Sequence, residues 1–314
     1  MGQIKMGIIV IGMAFVDIKG FPDGVYIPDG RNAGQVKYIH GGVARNVVED
    51  IANMELQPTY VGIVDDTPLG EEVVNKLKRH KVNTDYVQVR PDGLGIWLAV
   101  FDHNGDVAGS ISKRPDGGAI YTLLEEKGDE IFSQGDSVVI EVDMHKEIVK
   151  KTLDLAEKYN IKTFALVSNM SIAMERRDFL QRFDCVICNK QEAGMLFLDD
   201  FTDKSADEIR EIIKDKTARA QIPSMVVTLG GDGAVYTDLE GNDGFCPARN
   251  VQVKDTTGAG DAFCAGVAAG LTYGKNLGEA VEIGTMLAAS VIVSSENVCP
   301  RFQPEELGLC YPKE

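Results

Sequence analysis

The segment KDTTGAGDAF, residues 254–263, combines two aspartates with glycines and other small residues directly ahead of an apolar run. The preceding NVQVKD is predicted to be a strand, and DAFCAGVAAGLTYG is predicted to be a helix. At a helix start the first amides have no partner within the helix, and glycines let a ligand approach them. We therefore predict a backbone anion hole, suited to a phosphate or to charge that develops on one.

Asp261 lies beside this predicted anion hole, although a carboxylate there repels a phosphate. We interpret it as a general base that takes the proton from a hydroxyl attacking the phosphate. The alternative is that Asp261 only caps the helix, a favoured role for aspartate. The segment is not a P-loop, because no Gly-Lys-Ser/Thr follows, and Phe263 stands where the dinucleotide motif GxGxxG has its third glycine.

Two further segments carry residues that can bind a hydroxylated substrate. In GGVARN, residues 41–46, Gly41 and Gly42 let a ligand lie against the backbone, and Asn46 can donate and accept hydrogen bonds. The same residues also suit an ordinary helix start. Asp17 follows the first predicted strand, where its carboxylate either holds sugar hydroxyls or is an ordinary loop acid.

Glycines at the end of another predicted strand mark a candidate nucleotide site in TLGGDGA, residues 228–234. Thr228 and Gly230 are predicted to contact a nucleotide phosphate, with Gly231 and Gly233 in the same turn. A hairpin turn between two strands accounts for these glycines nearly as well.

Candidate magnesium ligands lie in NKQEA, residues 189–193, directly after the apolar run CVIC. Asn189 and Glu192 can order a hydrated Mg²⁺, which prefers oxygen ligands and keeps its waters, and Asn189 is also a candidate nucleotide ligand. A capping arrangement at a helix start is the alternative. We interpret Cys185 and Cys188 as part of a buried strand, because no second CxxC or nearby pair of histidines completes a zinc site.

The elements that position these segments alternate between strands and helices after about residue 120. Near-continuous apolar strands at 137–142, 162–167, 185–189 and 224–230 favour a parallel sheet covered on both faces by helices. Earlier, GIWLAVFD and DVAGSISK are predicted to form a hairpin around HNG. We expect a small accessory sheet built from two stretches, about 13–40 and 92–113, on a single domain spanning residues 1–314.

The net charge and the motifs of the chain argue against several classes of function. The chain has 314 residues and a formal net charge of −16, which disfavours binding to nucleic acid or to an anionic membrane. Its first apolar run, residues 6–10, is too short for a signal-peptide core, and we expect a cytoplasmic protein. A nicotinamide oxidoreductase would need GxGxxG after the first strand. A non-catalytic binding protein would have lost GAGD, which is intact here.

Taken together, these segments resemble the ribokinase-like (pfkB) family of carbohydrate kinases, over nearly the whole chain and in the same order. GGVARN is similar to the family's N-terminal signature and DTTGAGDAF to its C-terminal signature, which is highly specific. NKQE and TLGGDGA are similar to its metal and nucleotide motifs. The resemblance implies a three-layer α/β/α core with a mostly parallel sheet and a small β-sheet lid. It also implies an enzyme that transfers the γ-phosphate of ATP to a substrate hydroxyl.

The same resemblance implies roles for individual residues. Asp261 would be the base, and the amides of Gly258, Ala259 and Gly260 the anion hole. Asn189 and Glu192 would act on Mg²⁺ and its waters. Asp17, Gly41, Gly42 and Asn46 would hold the substrate. Asp255 and Thr257 are candidates for binding a monovalent cation such as K⁺, and family members often dimerise through the lid.

The substrate implied first is a nucleoside. VDIKGF, residues 16–21, together with GGVARNVVEDIA, is similar to the pseudouridine kinases of the family. Ribose, fructose and other sugars remain alternatives. Phe15 stands where many relatives have an asparagine that contacts a hydroxyl, and SNMS, residues 168–171, lacks an Asp-Pro that relatives often carry. Either difference is compatible with another sugar.

Overall fold

A nine-stranded sheet forms the centre of the molecule. The computed structural model describes residues 7–167, 174 and 177–309, so SNMS lies outside the described residues. The strands of this sheet are β1 Gly7–Ile11, β4 Thr59–Val64, β5 Val87–Val89, β8 Gly135–Glu141, β9 Lys162–Leu166, β10 Cys185–Asn189, β11 Ser224–Thr228, β12 Gly233–Asp238 and β13 Asp243–Pro247. Their order is β13-β12-β11-β10-β9-β8-β1-β4-β5, and only β12 and β13 join by antiparallel pairing.

Helices cover both faces of the sheet, which confirms the predicted three-layer α/β/α architecture. They are α1 Val43–Asn53, α2 Pro68–Arg79, α3 Gly118–Gln134, α4 Lys146–Tyr159, α5 Arg177–Leu180, α6 Lys190–Phe197, α7 Ala206–Ala220, α8 Ala259–Thr272 and α9 Leu277–Ile292. Strand β1 illustrates the layering, because Ile8 and Val10 pack into one apolar cluster while Ile9 and Ile11 pack into the other. A strand buried on both faces needs such a continuous apolar run.

A separate four-stranded sheet, which we call the lid, confirms the predicted accessory sheet. Its strands are β2 Phe15–Pro22, β3 Gly34–Gly41, β6 Gly95–Phe101 and β7 Val107–Lys113, in the order β3-β2-β6-β7. The predicted hairpin around HNG is confirmed, because β6 and β7 pair antiparallel. Asp102 shapes its turn by accepting hydrogen bonds from the amides of Asn104 and Asp106, at 2.8 and 3.0 Å.

One predicted strand is wrong. NVQVKD, residues 250–255, has no regular secondary structure, because the edge of the sheet is already occupied by β13. The amide of Lys254 donates instead to the carbonyl of Ile292 at the end of α9, at 2.7 Å. The glycines of TTGAG therefore follow an irregular segment and not a strand, although the helix after them is present as α8.

The cysteines behave as ordinary core residues. Cys185 and Cys188 are buried in β10, and both carry free thiols, as do the other three described cysteines. The interpretation of CVIC as a buried strand is therefore confirmed. No helix among the described residues is long and apolar enough to cross a membrane.

Candidate active site

The start of α8 carries the candidate anion hole. Gly258 is the N-cap residue and has a φ of 82°, a conformation that favours glycine. A Cβ at Gly258 would lie 2.0 Å from the carbonyl oxygen of Asn297, whereas a Cβ at Gly260 would meet nothing within 4 Å. The Ala259 amide donates to the Thr256 carbonyl at 3.2 Å within the preceding turn. Open space therefore lies in front of Gly260, on the side where a phosphate would approach.

Asp261 lies in the first turn of α8 and is not its N-cap, so the capping interpretation is wrong. Its Oδ2 accepts a hydrogen bond from Asn46 Nδ2 at 2.6 Å. Burial raises the pKa of this carboxyl to about 7, and the charge of Asp17 adds to the rise. The Asn46 hydrogen bond and the positive charge of Arg45 act in the opposite direction. A carboxylate with a pKa near neutrality is well suited to accept a proton.

Asn46 is held in one orientation by the segment that follows α9. Asn297 Nδ2 donates to Asn46 Oδ1 at 3.3 Å and to the His40 carbonyl at 2.7 Å. Since the Asn46 oxygen accepts from Asn297, its nitrogen is the end that faces Asp261. The buried Arg45 beside it donates to the carbonyls of His40 and Gly41. The predicted substrate residue and the predicted base are therefore in direct contact.

Residues 297–302, which we call the strap, were not identified from the sequence. The strap binds α1 at three points along the helix. Besides the Asn297 contact, the Cys299 amide donates to Asp50 Oδ1 at 2.6 Å, and Asn53 Nδ2 donates to the Cys299 carbonyl at 2.7 Å. The Phe302 amide donates to the Asn53 carbonyl at 2.8 Å. The strap thus joins the helix that carries Asn46 to the glycine that begins α8.

Asp17 lies on strand β2 of the lid and not in a loop after β1. In the register of the lid it stands between Ile39 of β3 and Trp97 of β6. A Cβ at Gly41 would lie 2.7 Å from Asp17 Oδ1, so glycine leaves room for the carboxylate. Burial raises the pKa of Asp17, while the charges of Lys19 and Arg45 lower it. The charge of Asp17 also raises the pKa of Asp261, and we call the space between this lid residue and α8 the cleft.

A cavity of about 660 Å³ opens beside the start of α8. It gathers every residue of the predicted nucleotide site together with two residues of the predicted anion hole: Asn189, Thr228, Gly230, Gly231, Gly233, Ala259 and Gly260. The cavity is also lined by Arg249, Val251, Val253 and Ile292, which sequence reasoning missed. The TLGGDGA segment is at the same time the tight connection between antiparallel β11 and β12, which confirms the hairpin turn, while its contact with a nucleotide phosphate stays a prediction.

Asn189 and Glu192 form a capping box at the start of α6. The Glu192 amide donates to Asn189 Oδ1 at 2.8 Å, and the Asn189 amide donates to Glu192 Oε2 at 2.7 Å. Burial raises the pKa of Glu192, and the nearby charge of Asp143 contributes. This unfavourable negative charge is what a hydrated cation would relieve, so the pair fits Mg²⁺ bound through water. Within the described ranges, no group of three or more acidic, histidine or cysteine side chains forms a direct metal site.

Asp255 and Thr257 lie in the turn before α8. Asp255 Oδ1 accepts from the Thr257 amide at 2.8 Å, and this hydrogen bond lowers the pKa of Asp255. The lowered pKa keeps this carboxylate ionised at neutral pH, and an anionic oxygen is a suitable ligand for a cation.

Known proteins with the same arrangement identify the family. The model of the pfkB family of carbohydrate kinases matches residues 5–301. The chain belongs to the pfkB family. It is 33% identical to the guanosine-inosine kinase of Exiguobacterium acetylicum, over 92% of this chain and 95% of that protein. It is 24% identical to the pseudouridine kinase of Escherichia coli strain K12, over 87% of this chain and 86% of that protein.

The pfkB kinase fold is also seen in solved structures. The structure of Arabidopsis thaliana ribokinase complexed with ribose and ATP matches this chain with a TM-score of 0.82 and 18% sequence identity. The match covers 96% of this chain and 98% of the ribokinase. As a pfkB kinase, this chain is an ATP-dependent phosphotransferase that acts on a hydroxyl of a sugar or nucleoside.

Proposed function

We propose that this pfkB kinase phosphorylates a ribose hydroxyl of a purine nucleoside of the guanosine or inosine type. The observation that carries the proposal is the aromatic inner face of the lid. Trp97 stands directly beside Asp17 in the lid register, and its ring lies 6.5 Å from the ring of Phe101 in an edge-to-face arrangement. Phe101 stacks on Phe21 at 4.7 Å. An aromatic surface next to a hydroxyl-binding carboxylate suits a base attached to a ribose.

The relative named guanosine-inosine kinase supports the purine assignment, because it aligns along nearly the full length of both chains. Pseudouridine, the first substrate expected from the sequence, remains the second candidate through the more distant pseudouridine kinase. Both carry a base on a ribose, so the same lid face can serve either. A free sugar has no base to pack on the aromatic face of the lid, and we therefore place ribose and fructose behind both nucleosides.

In the proposed mechanism Asp17 holds the ribose and Asp261 accepts the proton of the reacting hydroxyl. The hydroxyl oxygen bonds to the γ-phosphorus as the bond from that phosphorus to the β,γ-bridging oxygen breaks, and ADP leaves with that oxygen. The amides at the start of α8, with Gly258 and Gly260 leaving room for the phosphate, stabilise the charge on the transferring group. Asn46 keeps the Asp261 carboxylate in place until the hydroxyl replaces it.

Two cations are assigned to this site. Mg²⁺ would be held through water by Asn189 and Glu192 and would neutralise the charge of the ATP phosphates. A monovalent cation such as K⁺ would be held by Asp255 and Thr257, where it would favour the turn that begins the anion hole. We further propose that the protein acts in the cytoplasm, which the free thiols of the described cysteines support.

The proposal is tested by measuring ADP release with Mg²⁺ and ATP on guanosine, inosine, adenosine, pseudouridine, uridine, ribose and fructose. We expect the highest kcat/KM for guanosine or inosine. Trp97→Leu should raise KM for the preferred nucleoside by about tenfold, the effect of one lost stacking contact, and leave KM for ATP unchanged. A free sugar as the best substrate, or a Trp97→Leu enzyme with unaltered KM, would contradict the assignment.

A further inference from the structure

Lys19 is a buried cation on the inner face of the lid. Lys19 is only 7% exposed to solvent. In the part of the chain that the structure describes, no carboxylate lies within ion-pair distance of Lys19 Nζ. This nitrogen lies over the ring of Trp97, 5.7 Å from the ring centroid. Lysines are rarely buried without a partner, because removing an ammonium group from water is costly.

The position of Lys19 directs its charge into the catalytic cleft. It stands two residues after Asp17 on β2, so both side chains project from the same face of the lid. Its charge acts on Asp17 on the lid side of the cleft. It also acts on Asp255 across the cleft, where the turn before α8 begins. The ammonium group therefore shares the inner face of the lid with Asp17 and is close enough to the turn before α8 for its charge to act on Asp255.

The cleft itself supplies a reason for such a charge. The anion hole at the start of α8 offers backbone amides to the terminal phosphate of ATP from one side. On the lid side, Lys19 is the buried cation beside Asp17. A bound phosphate would accept a charge-assisted hydrogen bond from the buried ammonium, to which no described carboxylate is close enough to form an ion pair.

We propose that Lys19 is a catalytic residue that binds a γ-phosphate oxygen of ATP from the lid side, opposite the amides of α8. It stabilises the charge on the phosphoryl group as that group moves to the substrate hydroxyl. The inference rests on the proposed site at the start of α8, but not on which nucleoside is the substrate.

The test compares ATP and ADP binding by calorimetry, with Mg²⁺ and without any nucleoside, since the two nucleotides differ by the γ-phosphate. Lys19→Met should weaken ATP binding by about tenfold, as expected for one charge-assisted hydrogen bond, and leave ADP binding within about twofold. Turnover of the responding substrate should fall by about 10²-fold or more. Lys19→Arg should keep much of the ATP affinity and much of the turnover.

The chain provides a matched control in Lys37, which stands opposite Lys19 in the register of β2 and β3. Its Nζ lies 5.3 Å from the ring of Phe21, and the residue is exposed. Lys37→Met should bind ATP and turn over substrate as the wild type does. Lys19→Gln serves as a second variant if Lys19→Met does not fold.

Three results would overturn the proposal. Equal loss of ATP and ADP affinity would mean that the substitution damages the nucleotide cavity. A higher KM for the nucleoside with unchanged ATP binding would mean that Lys19 only offsets the charge of Asp17. Unchanged ATP binding and turnover would mean that it has no role in transfer. If wild-type protein binds ATP and ADP but phosphorylates no purine nucleoside, the substrate proposal fails while the role of Lys19 is still decided.

Discussion

At the scale of single residues, the behaviour of Asp261 follows from its surroundings. Asp261→Asn keeps an oxygen that can accept from Asn46 but removes the base, so kcat should fall by about 10²–10⁴-fold. Binding of ATP, measured by calorimetry, should persist, because the nucleotide cavity is unchanged. Wild-type turnover by the Asn variant would contradict the role of Asp261.

The same substitution should change stability in a pH-dependent way. Burial raises the pKa of Asp261 to about 7, from the 3.8 usual for an aspartate. Between these two pKa values the folded protein holds a proton that the unfolded chain has lost. The stability that this group contributes is therefore complete below the unfolded pKa, and it is lost as the pH rises through about 7. Asp261→Asn has no such titration. It should melt a few degrees higher than the wild type at pH 8, and the difference should shrink near pH 5.

Asn297 allows a separate test of how Asp261 is tuned. In Asn297→Asp the residue can only accept, so Asn46 should turn its nitrogen toward residue 297 and its oxygen toward Asp261. Asp261 would lose the hydrogen bond that lowers its pKa, while Asp17 and Arg45 would act as before. The acidic limb of kcat/KM should move to higher pH.

Asn297→Ala is the control for this effect, since it breaks the same contacts without forcing the amide to turn. We expect a smaller shift of the acidic limb with a comparable loss of thermal stability. A lower melting temperature with an unmoved pH profile in Asn297→Asp would show that the strap only stabilises the fold.

At the scale of elements, two glycines at the start of α8 form a matched pair. Gly258→Ala should destabilise the protein, because φ is 82° and the added Cβ would lie 2.0 Å from the Asn297 carbonyl oxygen. Gly260→Ala adds its methyl group to open space. It should melt like the wild type but bind ATP more weakly, because the methyl group occupies the approach to the anion hole. Equal ATP affinity in folded Gly260→Ala would argue against a phosphate at this position.

The elements also show what the sequence could predict. Buried strands such as β1 and β10, and capped amphipathic helices such as α7, have local patterns, and these predictions are confirmed. NVQVKD has the alternation of a strand, but its Val251 and Val253 line the nucleotide cavity, and pairing at the sheet edge is decided by β13. Periodicity alone cannot distinguish an apolar wall of a cavity from a strand face.

Long-range contacts account for what the sequence did not predict in the site. Motifs GGVARN and GAGD were recognised separately, but their contact through Asn46 and Asp261 joins residues 215 positions apart. The strap meets α1 across about 250 positions of the chain and has no local pattern of its own. Asp17 was predicted either to hold sugar hydroxyls or to be an ordinary loop acid, and its position on β2 is decided by pairing with distant segments of the lid.

At the scale of the whole molecule, the site lies between two sheets that contribute opposite halves. In the proposed site, the large sheet and α8 provide the nucleotide cavity and the base, and the lid provides Asp17, Lys19 and Trp97. The proposed phosphate contacts and the proposed substrate contacts each combine residues of the two halves: Gly260 with Lys19, and Asn46 with Asp17. Catalysis therefore depends on how the lid is held over the core, which makes the other face of the lid functionally relevant.

We propose that the outer face of the lid is the surface of a homodimer. Tyr38, Leu98 and Ile111 lie in one register row on this face and are 61%, 41% and 70% exposed, with Val36 beside them at 62%. Contiguous exposed apolar side chains on a sheet mark an interaction surface. A second copy offers the same apolar face, so a twofold contact would bury both at once.

Ile111→Lys should therefore convert a dimer into a monomer in sedimentation velocity at micromolar concentration, because it places a charge at the β7 end of the apolar row. Leu198→Lys is the control: Leu198 is 78% exposed but follows α6, outside the lid, and its substitution should leave the dimer intact. Since the lid carries Asp17, the monomeric variant should also show a higher KM for the nucleoside. A wild-type protein that sediments as a monomer would contradict the interface, and a monomeric Ile111→Lys with unchanged KM would separate dimerisation from positioning of the lid.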